Sequence, residues 1–186
     1  MVIVPAWESY QPKPGEIVVS MDPGMAFGTG SHETTRLVIG LLEKYTTPGC
    51  RMLDVGCGSG ILAICASKLG AGECRAYDID PVAVRVANEN IEKSGQSNVT
   101  CAVSDLLRDV DASRPYDLIT ANIVADIIIR MTPDIGAHMH KDTVLLLSGI
   151  ILARCDDVER ALEPYGLRVV ERVIDNDWCA LAVMKK

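Results

Sequence analysis

Apolar and polar positions along this 186-residue chain fall into blocks whose period changes in a regular order. Residues 52–55, 73–77, 98–103, 117–121 and 143–147 are short runs that predict strands. Between and after them, 59–69, 81–94, 124–140 and 154–164 predict helices, with a short helical piece at 106–110. Pro81 suits the first turn of its helix, and Pro133 and Gly136 predict a bend or interruption in 124–140. The alternation implies a mostly parallel sheet with helices on both faces. The end of the chain breaks this rhythm. Residues 167–174 and 178–184 both read as strands, and Asp175-Asn176-Asp177 is too short for a crossover, so the two must form an antiparallel hairpin. The start differs as well. Residues 1–30 are rich in Pro and Gly and read as an irregular lead-in, with a turn at Asp22-Pro23-Gly24 and a loop at Gly28-Thr29-Gly30-Ser31. Ser31 or His32 then opens a helix to about Tyr45, with Glu33 in its first turn.

Composition fits this picture. The length suits one domain, and 48% hydrophobic residues with only 4% aromatics imply a core of Val, Ile, Leu and Ala. The net charge of −7 disfavours general nucleic-acid binding and suits a basic protein or an amine as partner. Seven cysteines, at 50, 57, 65, 74, 101, 155 and 179, form no Cys-x-x-Cys and sit largely in apolar runs, so reduced, buried thiols in a cytoplasmic protein are expected. No metal site is expected: His138 and His140 are two apart and would point in different directions on a helix. No stretch reaches the ~18 apolar residues of a membrane helix. The opening Met1-Val2-Ile3-Val4-Pro5 lacks the features of a signal peptide.

Candidate chemistry begins at Leu53-Asp54-Val55-Gly56-Cys57-Gly58-Ser59-Gly60, which follows a strand and opens a helix. Glycines there let backbone approach a ligand, and the helix start offers unpaired N–H groups. The spacing is G-x-G-x-G, and Ile61 stands where a dinucleotide binder has its last glycine. Asp78 ends the next strand, where a carboxylate can accept hydrogen bonds from both ribose hydroxyls of a nucleoside cofactor. Asp80 reads as the cap of the helix starting at Pro81. Two readings are open for Asp105, an adenine contact or another helix cap.

Together these features resemble the class I S-adenosylmethionine methyltransferases. That resemblance implies a Rossmann-like fold with a seven-stranded sheet of order 3-2-1-4-5-7-6 and a reversed last strand. Four further segments sharpen it. They are Pro5-Ala6-Trp7-Glu8, the loop from Asp22 to Thr35, Ala121-Asn122-Ile123-Val124-Ala125 and Leu147-Ser148-Gly149-Ile150-Ile151. With these the chain resembles the ribosomal protein L11 methyltransferase family from about Ile3 to its end, departing at Ser31 and Glu33, where Thr and Pro are usual. Carried over by position, Thr35, Gly56 and Asp78 would contact S-adenosylmethionine, and Asn122 would sit where cofactor and acceptor amine meet. Asp54, Gly58 and Asp105 complete the expected cofactor set. The implied partner is a ribosomal protein of the large subunit, methylated on lysine side chains and its N-terminal amine. The family normally carries an N-terminal recognition domain. This sequence begins at the catalytic part, so residues 1–30 are expected to be a lead-in and cofactor-covering loop and 31–186 the catalytic domain.

The implied chemistry needs a neutral amine, yet a lysine has an unperturbed pKa near ~10.4. Asn122 suits the task, because its carbonyl accepts from the amine without a charge that would stabilise the ammonium. Ile123-Val124 follows it in place of Pro-Pro-aromatic, so no clamp for a flipped base is supplied. Residues 24–31 are expected to act as a lid and Ser148 to line the site mouth. Phe27 has two open readings, as a cover on the cofactor or as plain packing. Rival functions are a methyltransferase of the same fold acting on RNA or a small molecule, and a non-catalytic cofactor-binding module. A nicotinamide oxidoreductase is disfavoured by the glycine spacing.

Overall fold

The computed structural model describes residues 1–21 and 32–186. Its centre is a seven-stranded sheet. In chain order the elements are α1 (Glu33–Tyr45), β3 (Arg51–Val55), α2 (Ile61–Lys68), β4 (Glu73–Asp78), α3 (Pro81–Ser94), β5 (Val99–Val103), β6 (Tyr116–Asn122), α4 (Ala125–Ile135), β7 (Met139–Ile151), α5 (Cys155–Leu162), β8 (Leu167–Asp175) and β9 (Trp178–Lys185). They follow two short strands, β1 (Val2–Pro5) and β2 (Val18–Met21). The strand order is β5-β4-β3-β6-β7-β9-β8, the order the resemblance implies. β3 to β7 pair in parallel, while β9 runs antiparallel to both β7 and β8. The hairpin arises as expected: Asn176 takes a positive φ of 52° in the link between β8 and β9.

Strand alternation divides the core into two layers. Met52, Leu118 and Leu146 face one side and pack with α1, α2 and α3, whereas Leu53, Ile119 and Leu145 face the other and pack with α4 and α5. α2 is buried on nearly every side, which explains its almost continuous apolar sequence. α3 starts as its sequence demands: the Asp80 carboxylate caps Val82 N–H at 2.8 Å and Pro81 occupies the first position.

The structure corrects several expectations. Residues 1–21 are not wholly irregular, because β1 and β2 pair in parallel and bury Val19 and Met21 against the core. Residues 106–110 form turns, not a helix; Leu107 and Val110 reach the core from a turn, which needs no helical period. The helix expected over 124–140 stops at Ile135, two residues after Pro133, passes through a 3-10 turn at Gly136–His138 and becomes β7, longer than the strand expected at 143–147. Cys155 and Cys179, both fully buried, are brought together, with Cα atoms 6.5 Å apart. Their meeting depends on tertiary register: β9 lies against the end of β7 and meets the start of α5, 24 residues away in sequence. The expected turn at 22–24, Phe27 and the lid at 24–31 lie outside the described residues.

Candidate active site

The C-terminal edge of an open parallel sheet is where such folds leave a crevice, since successive loops there turn to opposite faces. A cleft of about 590 Å³ lies along this edge. Its lining follows strand order. Asp105 comes after β5, Asp78 ends β4, Gly56 and Gly58 follow β3, Asn122 ends β6, Gly149 lies near the end of β7 and Trp178 opens the reversed β9. Five inter-strand steps of ~4.8 Å make this row about 24 Å wide, long enough for an elongated ligand with a second molecule at one end.

The glycine loop is held by the neighbouring strand. Gly56 and Cys57 both donate to the Tyr77 carbonyl, at 2.8 and 3.0 Å. Gly58 N–H donates to Asp78 Oδ2 at 2.9 Å, and Asp80 N–H donates to Oδ1 at 3.0 Å. A carboxylate offers about four acceptor positions. Asp78 therefore keeps roughly two of them for a ligand while being fixed in place by the other two. Gly56 has a φ of 71°, and a Cβ there would run into the side chain of Ile123. Gly149, with a φ of 80°, approaches the same residue from the other side, where a Cβ would lie 2.5 Å from the Ile123 carbonyl oxygen. Ile123 also donates its N–H to the Ser148 carbonyl at 3.1 Å. The residue after Asn122 is thus gripped between two backbone segments, which fixes where the Asn122 side chain points.

Asn122 lines the cleft, and its Nδ2 lies 3.5 Å from Thr35 Oγ1, at the outer limit of a hydrogen bond. Thr35 is buried in the first turn of α1, capped by the His32 ring through Thr34 N–H. Asp105 lies in the wall, paired with Arg130 at 2.8 Å. Of its two open readings the helix cap fails, because the segment that follows is a turn.

Thr35, Gly56, Gly58, Asp78, Asp105 and Asn122 therefore converge on one cleft. Asp54 does not. It is fully buried on the face of β3 that it shares with Met52, outside the cleft lining, with Oδ1 2.6 Å from the hydroxyl of its cross-strand partner Thr120. Burial pushes its carboxyl up to about 7, against the Thr120 hydrogen bond, and the charge of Asp78 adds to the rise. Ser148 is likewise buried and donates to the Thr34 carbonyl at 3.1 Å, so it braces α1 and does not line the mouth. Among the lining residues that sequence reasoning missed are two aromatic rings. The His32 and Trp178 rings meet edge to face, with centroids 4.9 Å apart. His32 was legible only as a helix start, and Trp178 only as the first residue of a strand after a turn.

Among the described residues no group of three or more His, Cys, Asp or Glu could hold a metal ion, and no helix is long and apolar enough to cross a membrane. A second hollow of about 650 Å³ lies beyond the Arg130–Asp105 pair, between the 105–108 turn and α4. It reaches neither the glycine loop nor Asn122.

Comparison with known proteins agrees with this geometry. The family model for ribosomal protein L11 methyltransferase (PrmA) matches residues 1–186. The chain belongs to the ribosomal protein L11 methyltransferase family. A relative of that name from Caldanaerobacter subterraneus subsp. tengcongensis is 44% identical over the whole chain, which covers 59% of that relative. Another from Pelotomaculum thermopropionicum is 46% identical over the whole chain and 60% of its own length. The chain thus spans about three-fifths of the length of these curated L11 methyltransferases. Among solved structures, a ribosomal protein L11 methylase from Lactobacillus delbrueckii subsp. bulgaricus superposes with a TM-score of 0.92 at 36% identity, covering 99% of this chain and 94% of that one.

Proposed function

We propose that this chain is the catalytic part of an S-adenosylmethionine-dependent protein N-methyltransferase whose acceptors are amines of ribosomal protein L11. The observation that carries the reading is a single cleft holding the anchored Asp78 carboxylate on one side of the glycine loop and Asn122 on the other. The residues fit the cofactor. Asp78 has acceptor positions left for ribose hydroxyls, Ile79 offers an apolar surface beside it, and Asp105 stands where an adenine edge would come. The family membership and the name shared by the relatives supply the acceptor. We expect the reaction in the cytoplasm, where ribosomal proteins are made.

S-adenosylmethionine supplies an electrophilic methyl group: the nitrogen lone pair forms the new C–N bond as the C–S bond breaks, its electrons stay on sulfur, and S-adenosylhomocysteine and a methylated ammonium result. Asn122 supports this by accepting a hydrogen bond from the neutral amine and aiming its lone pair. No general base is needed at the moment of transfer, because the amine gives up its proton to solvent beforehand. The cleft walls limit water around the nitrogen and so favour its uncharged form.

The test is transfer from methyl-labelled cofactor to purified ribosomal protein L11, with mass spectrometry of the product. Label on lysine or N-terminal nitrogen is the expected result. Tight cofactor binding with no transfer to any protein amine would refute the reading and leave a binding module. Transfer to RNA instead would move the chain to another acceptor class.

A further inference from the structure

We infer that Trp178 is a specificity-determining residue, the aromatic wall of the acceptor end of the cleft, where its indole meets the nitrogen as positive charge arrives there. The inference rests on the methyl-transfer reading above and deepens it. Strand order separates the two ends of the cleft. Asp78 and Asp105 belong to β4 and the segment after β5, whereas Trp178 belongs to β9, three strands beyond β3 on the other side. Asn122 and Gly149 lie between the glycine loop and Trp178. A ligand anchored at Asp78 and reaching past Gly56 therefore presents its far end between Asn122 and Trp178.

The chemistry of that end is unusual. Its described lining includes Thr35, Asn122, Gly149, His32, Trp178 and the exposed Val124 and no carboxylate; Glu33, whose Oε2 lies 3.8 Å from His32 Nδ1, stays outside that lining. A carboxylate would hold a lysine as its ammonium and work against transfer. An aromatic face does less of this. It is apolar enough to desolvate the amine, yet its quadrupole attracts the positive charge that moves from sulfur to nitrogen during transfer. It thus favours the transition state and the methylated product over the starting amine, which is the requirement for catalysis by binding. The same face suits an ammonium that carries methyl groups, because such an ion is poorly hydrated. The ring is held for this role. His32 packs against it edge to face, and its backbone is fixed by pairing with Ile151 and by the Leu152 N–H to Asp177 carbonyl bond at 2.8 Å.

The experiment uses tetramethylammonium as probe with S-adenosylhomocysteine bound. In a Trp7→Phe chain Trp178 is the remaining tryptophan, and its fluorescence should change saturably as the probe is added. The probe should also compete with L11 in the transfer assay. Trp178→Leu, which keeps apolar bulk without a π face, should raise its inhibition constant about tenfold, within the range for a desolvated cation on an aromatic ring. Trp178→Phe should stay within about threefold, and both variants should keep wild-type affinity for S-adenosylhomocysteine, which shows that the cleft is folded. Equal inhibition in the Leu and Phe variants, or no fluorescence response, would overturn the inference. Absence of transfer by the wild-type chain while the fluorescence response persists would instead overturn the acceptor assignment and leave the cation site standing.

Discussion

Two carboxylates on neighbouring strands meet opposite environments. Asp78, at the end of β4, is tied to two backbone N–H groups and keeps acceptor positions open to the cleft. Asp78→Ala should weaken cofactor binding by roughly 1–3 kcal/mol, the range for hydrogen bonds to a charged group, whereas Asn122→Ala should lower the transfer rate far more than cofactor affinity. Calorimetry paired with single-turnover rates checks both, and an Asp78→Ala chain of unchanged affinity would remove that residue from the site. Asp54, one strand away, lies sealed beneath the loop with its carboxyl raised from 3.8 to about 7. Its sign in stability is therefore inverted relative to an ion-paired carboxylate. Between these values the folded chain binds more protons than the unfolded chain, so Asp54 makes stability fall as pH rises through that window. Asp54→Asn should flatten the stability–pH curve there by an amount of the order of a few kcal/mol, measured by urea unfolding at stepped pH. The sequence named both residues as cofactor ligands. It could not separate them, because a carboxylate two residues before a glycine loop reads the same whether its side chain points to the cleft or to the neighbouring strand.

At the scale of elements, the site depends on how closely β3, β6 and β7 bring their ends together. Ile123 is gripped by Gly56 on one side and Gly149 on the other. The importance of Gly56 was legible from its motif. That of Gly149 was not, since its constraint comes from the backbone of Ile123, just past β6 and 26 residues earlier. Gly149→Ala should cost roughly 2 kcal/mol or more, because the positive φ and the backbone contact both oppose a Cβ. Urea unfolding should show a lower midpoint with an unchanged slope. Transfer should fall with it as Asn122 is displaced. The terminal hairpin shows the same division. Its existence followed from a three-residue link, but its place beside β7 decides that Trp178 enters the cleft and that Cys179 reaches Cys155.

For the whole molecule, the contacts we assign to the cofactor all lie between Thr35 and Asn122 and thus within this chain. Its affinity for S-adenosylmethionine should therefore match that of a longer relative. Methylation of L11 should be much slower than by that relative, since remote substrate contacts help position the reacting amine. Side-by-side calorimetry and initial rates would show this, and equal rates would mean that this chain carries the recognition itself. The sequence by itself determined the alternating α/β plan, the reversed end, the glycine loop, Asp78 and Asn122. All of these are written in local period, turn chemistry or short spacing. Only the tertiary structure decided that Asp54 and Ser148 are buried outside the cleft lining, that His32 and Trp178 line it, and that Cys155 and Cys179 meet. The physical reason is that facing and proximity belong to packing between segments distant in sequence. Which side of a strand is covered, and which loop meets which, is set by the sheet order and not by any one segment.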